Sequence, residues 1–192
     1  MSVAPLARLT SPTVVLAVDN VDTDQIIPAR FLTGTTRDGL GRHLFADQRY
    51  DAGGAERKES VFNTPAARQA KVLVAGHNFG CGSSREHAVW ALQDFGFRAV
   101  VSSSFADIFR NNALKNGLLP VELEPTAHRG LLDAPGAEVT IDVQAGSLEL
   151  GARRVEFPLE PFARYCLLRG LDEFDFLLGQ GKAIDAYEAR RG

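Results

Sequence analysis

Residues 13–18, Thr-Val-Val-Leu-Ala-Val, form a β-branched and continuously apolar run, the pattern of a strand buried on both faces. The run passes into Asp19-Asn20-Val21-Asp22-Thr23-Asp24, whose short polar side chains favour turns, and Pro28 stops any helix that would follow. Residues 33–54 are polar, rich in glycine and weakly periodic. They are expected to form a long surface loop with at most a short helix.

A regular alternation begins at Lys71. Residues 72–75 read as a strand, 76–82 as a glycine-rich turn, and 84–95 as a helix with Ala88, Leu92 and Phe95 on one face. Gly96 stands where a left-handed residue ends such a helix. A second strand at 99–101, a helix at 105–115 and a third strand at 118–123 follow. Strands alternating with helices predict an α/β core with parallel pairing over about residues 71–123. Beyond it, 139–143 and 148–150 read as a hairpin around Ala145-Gly146-Ser147, with 154–157 as a third strand. The tail reads as helices at 162–168, 172–178 and 183–190.

A length of 192 residues suits one domain, residues 1–192, made of that core plus a hairpin and helical tail over about 139–192. With 45% hydrophobic and 23% charged residues, disordered and collagen-like classes are excluded. The net charge of -3 includes no basic block, so nucleic acid is not an expected partner. The apolar run near the N-terminus stops at Asp19, too short for a signal peptide. No stretch approaches the ~20 apolar residues of a membrane helix, so a cytoplasmic protein without membrane contact is expected. The two cysteines, Cys81 and Cys166, exclude a disulfide framework and any cluster needing three or four thiolates from this chain.

The chemistry concentrates in Gly76-His77-Asn78-Phe79-Gly80-Cys81-Gly82-Ser83-Ser84-Arg85-Glu86-His87. Ser83 and Glu86 have capping-box spacing, which predicts that the serine oxygen caps the helix while the glutamate reaches back. A helix start preceded by glycines offers amide donors and a positive dipole end to a carboxylate or phosphate. Gly80-Cys81-Gly82 lacks the third glycine of a dinucleotide fingerprint, Arg85 standing there instead, and no phosphate-loop or nucleophile-elbow motif occurs. Arg85 can grip a carboxylate through two parallel hydrogen bonds. A helix dipole contributes at most about 2 kcal/mol, or one to two pKa units, so a serine acting as base needs further help. The plain alternative is a helix cap with an exposed arginine. His77, Cys81 and His87 match no zinc spacing, so no metal site is expected; Cys166, beside Tyr165, Leu167 and Leu168, reads as core.

Four stretches carry a resemblance in order and spacing over nearly the whole chain. They are 21–28 with Asp-Thr-Asp-Gln-Ile-Ile-Pro, 78–88 with Gly-Ser-Ser-Arg-Glu, Ser104-Phe105-Ala106-Asp107-Ile108-Phe109, and Leu118-Leu119-Pro120-Val121. Together they resemble the small subunits of 3-isopropylmalate dehydratase in the aconitase superfamily. Residues 31–50, with Gly41-Arg42-His43-Leu44-Phe45, resemble the bacterial leucine-pathway form. The resemblance implies a swivelling β/β/α domain that closes over a large subunit holding a [4Fe-4S] cluster, with no cofactor bound by this chain. It implies interconversion of 2-isopropylmalate and 3-isopropylmalate through 2-isopropylmaleate. It further implies Ser83 as catalytic base, Ser84 and Arg85 as substrate-binding residues for a hydroxy-dicarboxylic acid, and Asp24 as the aspartate orienting a histidine of the large subunit. By the same resemblance, Arg30, Arg37 and Arg42 lie in the loop that in aconitase carries the arginine recognising the extra carboxylate. Two rival readings are a small subunit for a homologous acid, such as homoaconitate or citramalate, and a non-catalytic anion-binding module.

Overall fold

The computed structural model describes residues 4–32 and 37–190. Its elements run β1 (Arg8–Leu16), α1 (Thr23–Ile26), α2 (Ala46–Arg49), α3 (Pro65–Gln69), β2 (Val72–Ala75), α4 (Glu86–Phe95), β3 (Ala99–Ser102), α5 (Asp107–Lys115) and β4 (Leu119–Glu122). They continue as α6 (Pro125–Leu132), β5 (Glu138–Asp142), β6 (Ser147–Leu150), β7 (Arg153–Glu156), α7 (Pro161–Arg169), α8 (Glu173–Gly179) and α9 (Gly181–Glu188). The strands form a single seven-stranded sheet in the order β4-β3-β2-β1-β5-β6-β7. Pairing is parallel from β4 to β1 and antiparallel from β1 to β7.

Strand β1 joins the two halves. Arg8 to Pro12 pair with β5, while Thr13 to Leu16 pair with β2. In the antiparallel half burial alternates, with Leu9 and Ser11 inward and Arg8 and Thr10 exposed. Only the parallel half is apolar at consecutive positions, so an apolar-run criterion starts the strand at Thr13 instead of Arg8. Strand β2, buried at all four residues, sends Leu73 and Ala75 into one core and Val72 and Val74 into the other. The first core holds α1, α4 and α5 on that face, and the second packs β5 to β7, α6 and α7 on the other.

Three sequence expectations are corrected. Helix α4 begins at Glu86, with Arg85 at the N-cap and no side-chain cap, so the Ser83–Glu86 capping box does not form. The capping box lies instead at α1, where Asp22 accepts from the Gln25 N–H at 2.7 Å and Gln25 reaches back to the Asp22 N–H. Its spacing also fits, but Pro28 hid a helix only four residues long. The polar segment after Arg37 holds the short helix allowed for it, α2, and is exposed at residues 51–54, but its middle is no surface loop: Leu40, Leu44, Phe45 and Ala46 are buried. Phe45 stacks on Phe62 at 4.4 Å. Arg49, only 5% exposed, replaces an apolar residue by donating to the carbonyls of Gly41 at 3.1 Å and Leu44 at 3.2 Å and to Asn63 Oδ1 at 3.0 Å. Residues 33–36 of that stretch lie outside the described residues. Helices α3 and α6 are additional to the sequence reading. Helix α6 carries His128, whose buried Nε2–H donates to Ala75 O at 2.7 Å.

Candidate active site

The site forms where β1 and β2 run out. Past their ends the two segments stay in register: Asn20 N–H donates to His77 O at 2.8 Å, Gly80 N–H to Val21 O at 2.8 Å and Thr23 N–H to Cys81 O at 2.9 Å. Asn20 and Asn78 adopt left-handed conformations, at φ 55° and 56°, and their side chains join at 2.8 Å. Asparagine tolerates this region, and the hydrogen bond holds both turns in it. Gly80, at φ 77°, lies against the Phe109 ring so closely that any Cβ would collide with it. The two turns are thereby locked side by side, 19–24 against 76–85.

Thr23 completes the lock. Its hydroxyl donates to Ser83 O at 2.9 Å and so fixes the backbone that presents the Ser83 side chain. Ser83 and Ser84 are exposed, and among the described residues neither hydroxyl has a partner. Arg85, its side chain 18% exposed, makes an ion pair with Asp24 through Nη1. Thr23, Gly80, Gly82, Ser83 and Arg85 line one wall of a pocket of about 260 Å³. The start of α5, Asp107 to Phe109, with Ala106 supplies the other wall. Sequence reasoning thus missed Thr23 and the α5 start. The stretch 104–109 was visible as a shared motif, but nothing in its composition signals a pocket wall.

The structure brings Ser83 and Arg85 into this pocket, with Asp24 joined to Arg85, and leaves Ser84 beside it. Of the three loop arginines, Arg30 pairs with Asp47, and Arg42 donates from Nε to His43 Nε2 at 3.0 Å. Arg37 lies over α4, with its guanidinium 4.9 Å from the centre of the Trp90 ring. Arg30 and Arg42 border a separate groove of about 420 Å³ with Phe31 and His43, whose rings stack at 3.9 Å. Burial, followed by Arg42, Arg30 and Arg49, pushes the His43 pKa below the usual histidine value.

The donor set does not fit an iron-sulfur cluster. Cys81 sits half-buried in the glycine turn, while Cys166 is buried in α7 and lines a different cavity between α5 and α7. Burial, reinforced by Glu173, Asp172 and Glu160, raises the Cys166 thiol pKa. Among the described residues no three His, Cys, Asp or Glu side chains converge as a metal site. The His77 ring instead meets Ser104 Oγ at 2.9 Å.

The aconitase C-terminal domain family matches residues 4–126, and the chain belongs to that family. A 3-isopropylmalate dehydratase small subunit of Anaeromyxobacter dehalogenans is 57% identical over 188 residues, covering 97% of this chain and 98% of the relative. One of Chloroflexus aurantiacus is 50% identical over 190 residues, covering 96% and 94%. Within the aconitase class, the chain is a member of the 3-isopropylmalate dehydratase small-subunit family. The crystal structure of a 3-isopropylmalate dehydratase from Methanocaldococcus jannaschii superposes with a TM-score of 0.67 at 28% identity, covering 96% of this chain and 99% of that one.

Proposed function

We propose that this chain is the small subunit of a 3-isopropylmalate dehydratase, a hydro-lyase of leucine biosynthesis that works only with its large subunit. The observation that carries this reading is the convergence of Ser83 and Arg85 on one open pocket, with Thr23 bracing the first and Asp24 the second. A pocket of about 260 Å³ is smaller than the roughly 300–1,000 Å³ of a complete ligand site, as suits one wall of a site closed by a partner.

Arg85 and the backbone donors at the start of α4 bind a substrate carboxylate. Arg85 can do so because its ion pair with Asp24 engages only Nη1, leaving Nε and Nη2 to grip in parallel. Ser84, exposed on the same turn, supplies a further hydrogen bond to the acid. Ser83 Oγ acts as the alkoxide: the positive end of α4 and the Arg85 guanidinium favour loss of its own proton to solvent, and it then takes the proton from the carbon next to that carboxylate and becomes a neutral hydroxyl. Its uncapped position matters here: an N-cap serine would have spent its oxygen on a backbone N–H. The carboxylate so held stabilises the charge that develops as the proton leaves. Asp24 sets the Arg85 side chain and, in the assembled enzyme, orients a histidine of the large subunit. A [4Fe-4S] cluster on the large subunit supplies a Lewis acid for the departing hydroxyl. The chain acts as a single swivelling domain in the cytoplasm.

The test is Ser83→Ala in the complex with the large subunit. Turnover falls roughly a hundred- to ten-thousand-fold, the range for a lost general base, while the subunits still co-elute. Near-normal turnover would remove Ser83 as the base.

A further inference from the structure

Glu86 follows Arg85 directly, and with the capping box unformed its carboxylate has another task. Asn116 Nδ2 donates to Glu86 Oε1 at 2.8 Å and to Asn112 O at 2.9 Å. Asn116 Oδ1 accepts from Trp90 Nε1–H at 2.9 Å, and its backbone carbonyl accepts from Gln93 Nε2 at 2.7 Å. One residue at the end of α5, 4% exposed, therefore holds positions 86, 90 and 93 along one face of α4. Both donors of the amide are in use.

We infer that Asn116 is a positioning residue for the reaction: through Glu86 it holds the Ser83–Arg85 turn at the pocket, and through Trp90 it holds the ring on which Arg37 rests. The inference rests on the proposed roles of Ser83 and Arg85. A buried amide is costly unless fully satisfied, and leucine would join two helices with less risk. What an amide adds is directional. It sets the rotation of α4 about its axis, because its donor and acceptor fit only when Glu86 and Trp90 both face α5. The pocket spans the same two helices, with Arg85 immediately before α4 and Asp107 to Phe109 opening α5. A small roll of α4 would carry Arg85 away from that wall. Arg37, stacked over Trp90, would move with it.

The experiment is a donor–acceptor exchange, read as kcat and KM of the complex beside the melting temperature of the subunit. E86Q keeps an oxygen to accept from Asn116 and loses less than about threefold in kcat. N116D sets two carboxylates against each other and loses about tenfold or more in kcat/KM. The double variant E86Q/N116D reverses the donor in the arm to residue 86, while Asn112 O keeps the main-chain N–H of residue 116 at 3.1 Å, and activity returns to within about threefold of E86Q. Rescue by the double variant supports a directional clamp, even where N116D alone unfolds. Wild-type kinetics in N116D, or a double variant that melts like wild type yet stays as impaired as N116D, overturns it. Either result leaves the Ser83 assignment standing, which Ser83→Ala tests separately.

Discussion

Asp24 and Arg85, 61 residues apart, form an ion pair beside the Ser83 pocket, Asp24 from the helix after β1 and Arg85 from the turn after β2. The pair joins the chain's two shared motifs in space. The Asp24 side chain is 52% exposed, so solvent screening limits the pair to at most about 1 kcal/mol of stability. Its use is geometric. Asp24→Ala therefore shifts the melting temperature by no more than a few degrees but lowers kcat/KM by about tenfold or more, measured on the complex. A large fall in melting temperature would make the pair structural.

Arg85→Lys tests the carboxylate grip. A point charge replaces a two-pronged donor, so KM rises about tenfold or more while kcat changes less. An unchanged KM contradicts a bidentate role.

Gly80 is required twice, by its positive φ and by the Phe109 ring against it. Gly80→Ala costs about 2–4 kcal/mol in urea unfolding, from left-handed strain plus overpacking. Gly136 has φ 79° with nothing near its missing Cβ, so Gly136→Ala costs only the strain, about 1–2 kcal/mol. Equal costs would show that the Phe109 contact yields freely.

The pKa of His128 is lowered by burial, against the opposing hydrogen bond to Ala75, and that of His43 is lowered chiefly by burial. The unfolded chain then binds more protons than the folded one below the usual histidine pKa of about 6.5. Stability is present above that value and is lost as pH falls toward the folded pKa values. Melting temperature declines from about pH 7.5 to about pH 5.5, and His128→Gln flattens part of the decline. A slope unaltered by the substitution contradicts this linkage.

The parallel core was legible because its signals are local: strands β2 to β4 are short apolar runs, and α4 and α5 keep helical spacing. The antiparallel half of β1 escaped because Leu9 and Ser11 alternate with exposed residues and read as polar. Residues 40–49 escaped for a different reason. Arg49 is charged in the sequence but buried, since carbonyls that loop back around it satisfy its guanidinium. In the site, Ser83 and Arg85 were legible as a motif, whereas the Asp24–Arg85 pair, Thr23 and the Asn116 clamp depend on contacts between distant segments. No spacing within one segment encodes them.

The central claim is that this chain is half of an active site. Its most direct test mixes the purified chain with the purified large subunit of a 3-isopropylmalate dehydratase and follows the interconversion of 2-isopropylmalate and 3-isopropylmalate. Turnover that requires both subunits, with neither active alone, is the predicted result. Isomerisation by this chain without a large subunit, or none with a large subunit that assembles with it, would contradict the account.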